Sequence, residues 1–61
     1  MNTQKFEMIL DQWDNGNTSI YWAYVKKLSR KDRAELVKHM RERWDLSTIF
    51  MHVDRMISGE F

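Results

Sequence analysis

Ser29-Arg30-Lys31-Asp32-Arg33-Ala34-Glu35-Leu36-Val37-Lys38-His39-Met40-Arg41-Glu42-Arg43-Trp44 is the stretch that decides the fold class. It opens with the residue order of a capping box, Asp32 standing where Glu or Gln is usual. Leu36, Val37, Met40 and Trp44 then recur at the spacing that places them on one helical face. Lys31–Glu35, Lys38–Glu42 and Glu35–Lys38 stand at helical pair spacings, each worth ~0.2–0.5 kcal/mol when exposed. The pattern predicts a helix over 30–44, with Leu28 just ahead of its cap.

Downstream, Leu46, Ile49, Phe50, Val53 and Ile57 share a face and predict a helix over 47–57, opened by Asp45 or Ser47 and stopped by Gly59. Upstream, Ile20, Tyr21, Tyr24, Val25 and Leu28 share a face over 19–28, with Thr18 or Ser19 as cap. The run Ile20-Tyr21-Trp22-Ala23-Tyr24-Val25 also suits a strand, and both readings stay open here. At the start, Phe6, Ile9, Leu10 and Trp13 predict a helix over 3–13 behind an Asn2 or Thr3 cap, ended by Asp14-Asn15-Gly16-Asn17. The expected architecture is all-α: one domain over 1–61, a small bundle of three to four short helices. Short connections make neighbours antiparallel or steeply crossed. The expected core is Phe6, Ile9, Leu10, Trp13, Ile20, Tyr24, Leu28, Leu36, Val37, Met40, Trp44, Leu46, Ile49, Phe50, Val53 and Ile57.

With 61 residues and no cysteine, the chain has room for one small core and no disulfide to reinforce it. The missing cysteine also excludes thiol chemistry and the common structural zinc sites, and it favours the cytoplasm over secretion. No apolar run, Ile49-Phe50-Met51 included, comes near the ~20 residues a membrane span needs. The first residues lack the basic start and acid-free apolar stretch of a secretion signal.

Charge is unevenly placed. From Met1 to Ile20, Lys5 stands against Glu7, Asp11 and Asp14. From Tyr21 to Arg43 eight bases meet three acids, and from Trp44 onward Arg55 faces Asp45, Asp54 and Glu60. Acidic ends folded over a basic middle, or two chains pairing by charge, explain this better than a nucleic-acid face does. The acids Glu7, Asp11 and Asp14 lie on one side of their helix and suit a solvated face or docking patch better than a metal site.

Chemistry is sparse. His39 and His52 lie in different segments with no ligand-spaced cluster beside them, and both read as partly exposed helical residues. Gly16 and Gly59 stand alone, so no phosphate loop forms, and Ser29 and Ser47 serve as caps before nucleophiles. No catalytic residue, metal or cofactor is expected. Met8, Trp22 and Met51 fall outside every stripe, and the surplus of aromatic and methionine side chains suits an interface. The function expected is that of a small phage-type accessory or regulatory protein, non-enzymatic and cytoplasmic, which inhibits or adapts a protein partner and forms a homodimer through that face. The alternative is a helix-turn-helix-like DNA regulator using Arg30, Lys31, Lys38 and Arg41, opposed by Glu35 and Glu42 on the same outer side.

Overall fold

The computed structural model describes residues 3–60 and contains four helices: α1 (Thr3–Asp14), α2 (Thr18–Lys27), α3 (Arg30–Met40) and α4 (Leu46–Ser58). No strand occurs among the described residues, so the segment 20–25 is helical. The expected Asn2 cap lies outside the described residues.

Local chemistry sets each boundary. Gly16, at φ +84°, ends α1 as the sequence anticipates. The N–H of Gly16 donates to the Trp13 carbonyl and that of Asn17 to the Gln12 carbonyl, the paired bonds of a Schellman turn. Asn17, rather than Thr18 or Ser19, takes the cap position of α2, and its side chain donates to Gln12 instead of capping. Ser29 Oγ accepts from the Asp32 N–H at 3.1 Å and opens α3. Asp45 rather than Ser47 opens α4, its carboxylate accepting from the Thr48 N–H at 3.1 Å. Hydrogen bonds from the Thr48 side chain and backbone hold that carboxyl below its ordinary pKa. Gly59, at φ +76°, closes α4.

Helix α3 stops four residues before its expected end. The N–H groups of Glu42 and Arg43 donate to the carbonyls three residues back, His39 and Met40, which tightens residues 41–44 into a turn. That turn aims Arg43 at α1 and tips Trp44 into the interior, two contacts a continued helix would forfeit.

Helix α1 packs against α2 and α3, and α3 against α4. Phe6, Ile9, Leu10, Tyr21, Val25, Leu28, Leu36, Met40 and Ile49 form the buried core, with Trp13, Trp22, Val37, Trp44, Val53 and Met56 packed around it. Five expected core residues, Ile20, Tyr24, Leu46, Phe50 and Ile57, are exposed instead. Of the expected stripe of α2 only Tyr21 and Val25, with Leu28 at the C-cap, face inward, so the helix is turned toward Trp22 and away from Ile20 and Tyr24. The turn buries Tyr21 and Val25 and half-buries Trp22 in place of Ile20 and Tyr24, and gives the Tyr21 hydroxyl a buried partner. In α4 the apolar arc is wider than one neighbour can cover, so Ile49, His52 and Met56 pack inward with Val53 at their edge, while Leu46, Phe50 and Ile57 stay exposed.

Candidate functional site

Three features concentrate the chemistry of this molecule: a socket for Arg43, a closed aromatic box, and an uncovered apolar seam on α4.

Glu7, Asp11 and Asp14 fall at helical spacing along α1, and the 41–44 turn places Arg43 over them. Arg43 Nη1 lies 3.0 Å from Glu7 Oε2, and Nη2 lies 2.7 Å from Asp11 Oδ1 and 2.8 Å from Asp14 Oδ2. Arg43 Nη1 also donates to the Glu7 carbonyl at 3.3 Å. The bond to Asp11, with the neighbouring carboxylates, raises the guanidinium pKa still further. The acidic row of α1 is thus a receptor for the chain's own cation, and the acidic start does fold over the basic middle. Beside it, Trp44 Nε1 donates to Asp14 Oδ1 at 2.9 Å.

His52 is buried, contrary to the expectation of a partly exposed residue. The surplus of aromatic side chains explains the difference: Trp13, Tyr21, Trp22 and Trp44 surround its imidazole at ring distances of 4.3, 5.1, 5.1 and 4.8 Å. Tyr21 Oη and His52 Nδ1 share a hydrogen bond of 2.7 Å, while Nε2 has no hydrogen-bond partner. Burial pushes the His52 pKa down to about 4 and the Tyr21 phenol well above its ordinary value. Both groups are therefore neutral at pH 7. Trp22, expected at an interface, is half-buried as one wall of this box, and the Arg55 guanidinium lies over its ring at 4.7 Å.

On α4, Leu46 and Phe50 are each 62% exposed and Ile57 is 80% exposed. With half-buried Val53 they follow a 4-3-4 spacing, the repeat of a coiled-coil seam. Helix α4 therefore carries two apolar sides, one facing the core and one facing outward. Met51, also exposed, stands on the flank about 100° round the helix from Phe50. Met8 lies elsewhere, in an open groove of about 410 Å³ between α1 and α2 shared with Ile9, Tyr24, Leu28, Lys5 and Lys27. The three residues grouped by sequence as one interface thus fall in three different places. Spacing showed each to be outside a stripe but could not show which stripe faces in.

Of the basic residues, Arg30, Lys31, Lys38 and Arg41 are all exposed along α3 and its end, and Lys38 Nζ pairs with Glu35 at 3.2 Å. Arg33 points the other way: its Nε and Nη2 donate to the Val25 and Lys26 carbonyls at 3.1 and 3.0 Å and tie the end of α2 to α3. Among the described residues no helix is long and apolar enough to cross a membrane.

No protein-family model, curated protein or solved structure matches this chain.

Proposed function

We propose that this chain is a non-enzymatic protein-binding module that self-associates through the outer seam of α4. The observation that carries the proposal is the 4-3-4 row Leu46-Phe50-Val53-Ile57, exposed at both ends and at Phe50. A row with that spacing is self-complementary. In an antiparallel pair of α4 helices Leu46 meets Ile57 of the second copy, and Phe50 meets Val53, around a twofold axis near residues 51 and 52. The row is about 17 Å long, which gives a seam below the ~1,200 Å² of a standard interface and a micromolar dissociation constant. Self-association would also enlarge the buried apolar area of a chain whose own core is small. The α1–α2 groove, with Met8 and Tyr24 at its surface, is in this reading where a different protein partner docks.

The placement of the titratable groups supports binding rather than catalysis. The Tyr21–His52 pair is buried among three tryptophan rings, and Arg43 is committed to α1. The same reading takes the chain to be cytoplasmic, since secreted domains this small are ordinarily stapled by disulfides. We do not extend it to duplex DNA. Lys38 is tied to Glu35, and Glu35 and Glu42 would face the phosphates.

The test is sedimentation across a concentration series. A shift from the 7.5 kDa chain to twice that mass over micromolar concentrations is expected, abolished by Phe50→Ser. A 7.5 kDa species persisting at several hundred micromolar would reject the seam.

A further inference from the structure

The turn that carries Arg43 to α1 also brings Glu7 to the end of α3. Glu7 Oε1 lies 3.8 Å from His39 Nδ1, and the donor atoms of Glu7, His39 and Glu42 all lie within 4.8 Å of one another. His39 and Glu42 are three residues apart at the end of α3, and Glu7 arrives from α1, which packs against α3. From these positions we propose that Glu7, His39 and Glu42 form a site for a single divalent transition-metal ion of the zinc class.

Three features carry the proposal beyond proximity. The first is the donor set. One imidazole and two carboxylates suit Zn²⁺ and its neighbours, whereas Mg²⁺ and Ca²⁺ prefer oxygen alone. The second is orientation. The His39 ring stacks on Phe6, centroids 5.3 Å apart and planes 22° apart, so its direction is held by the core. Arg43 grips Glu7 through Oε2 and leaves Oε1 on the His39 side. Support of this kind from outside the ligands is what orients a metal site. The third is charge. Glu7, Asp11 and Asp14 surround the Arg43 guanidinium and Glu42 stands beside Glu7, so the carboxylates here outnumber the one cation that they hold.

Tetrahedral zinc at ~2.0–2.1 Å from each donor needs donors about 3.4 Å apart. The Glu7–His39 distance is close to that value already, and Glu42 is exposed and free to swing inward. The fourth position faces solvent and takes water. An ion there would join α1 to the end of α3, the joint that Arg43 also holds.

Calorimetric titration of Zn²⁺ into the full chain near neutral pH tests the site, with Mg²⁺ as the oxygen-preferring control. One Zn²⁺ per chain with micromolar affinity is expected, and no Mg²⁺ binding at the same concentrations. Glu42→Gln, at an exposed position, leaves the metal-free melt unchanged and weakens Zn²⁺ binding at least tenfold, and His39→Ala removes it. In the NMR spectrum the His39 ring protons shift on titration and those of buried His52 do not. Variants that bind within twofold of the parent, no binding below millimolar Zn²⁺, or one ion shared by two chains would each overturn the proposal.

Discussion

Tyr21 and His52 meet 2.7 Å apart inside a ring of tryptophans, and this placement makes the molecule sensitive to acid. The folded-state pKa of His52, about 4, lies below the ordinary value of 6.5, so the unfolded chain binds the extra proton first. Stability from this group is complete above pH ~6.5 and is lost as pH falls toward 4, by on the order of 3 kcal/mol in all. Urea melts between pH 7 and 4 should show that fall, and His52→Phe should flatten it. An equal fall in both proteins would place the acid sensitivity elsewhere. Arg43 is the second residue on which much depends. Its removal leaves three α1 carboxylates facing one another, so Arg43→Ala should cost about 1–2 kcal/mol, against under 0.5 for Lys38→Ala at an exposed pair. Arg43→Lys should recover little, because one ammonium lacks the fork that reaches three acids. Thermal melts of the three variants decide it, and equal losses for Arg43→Ala and Lys38→Ala would deny the socket any special weight.

At the scale of the element, α4 separates two meanings of an apolar stripe. Ile49 faces the core and Phe50, its neighbour in sequence, faces out. Ile49→Ala should destabilise the fold by about 2–4 kcal/mol at any protein concentration. Phe50→Ala should leave the dilute chain within about 0.5 kcal/mol of the parent and weaken only self-association. Paired denaturation and sedimentation measurements distinguish the two, and a large loss of dilute stability in Phe50→Ala would mean that the outer seam belongs to the core after all. Helices α1, α3 and α4 were readable from period, and Ser29, Gly16 and Gly59 from turn chemistry, whereas the residues of α2 suited a strand as well. The rotation of α2 was not readable, since Ile20-Tyr24 and Tyr21-Val25 have the same spacing and differ only in what waits across the gap.

At the scale of the whole molecule, Trp44 ties the ends together. Its side chain reaches Asp14 of α1, Tyr21 of α2 and His52 of α4 from the turn that ends α3, a wider reach than the α3–α4 contact its position in sequence suggests. Trp44→Ala should therefore cost about 3–5 kcal/mol, most of the net stability of a domain this size. The expected outcome is a loosely packed helical state, in which far-UV dichroism survives while near-UV dichroism and the cooperative urea transition are lost. A melt like that of the parent would remove Trp44 from the core.

The sequence by itself determined α1, α3 and α4, their order and most of their ends, because capping, turn geometry and the 3.6-residue period act within a few residues of chain, and it left 20–25 open between helix and strand. It also favoured acids at the start answering bases in the middle, since charge placement is visible without a fold, but it did not single out Arg43 as the partner. Only the tertiary structure decided which side of α2 and α4 is buried, that His52 is sealed among aromatic rings, and that Glu7 stands beside His39. Those outcomes depend on volume and on long-range meeting. A small core accepts one face of each helix, and the face that wins is the one whose rings and hydrogen-bonding groups find partners contributed by distant segments.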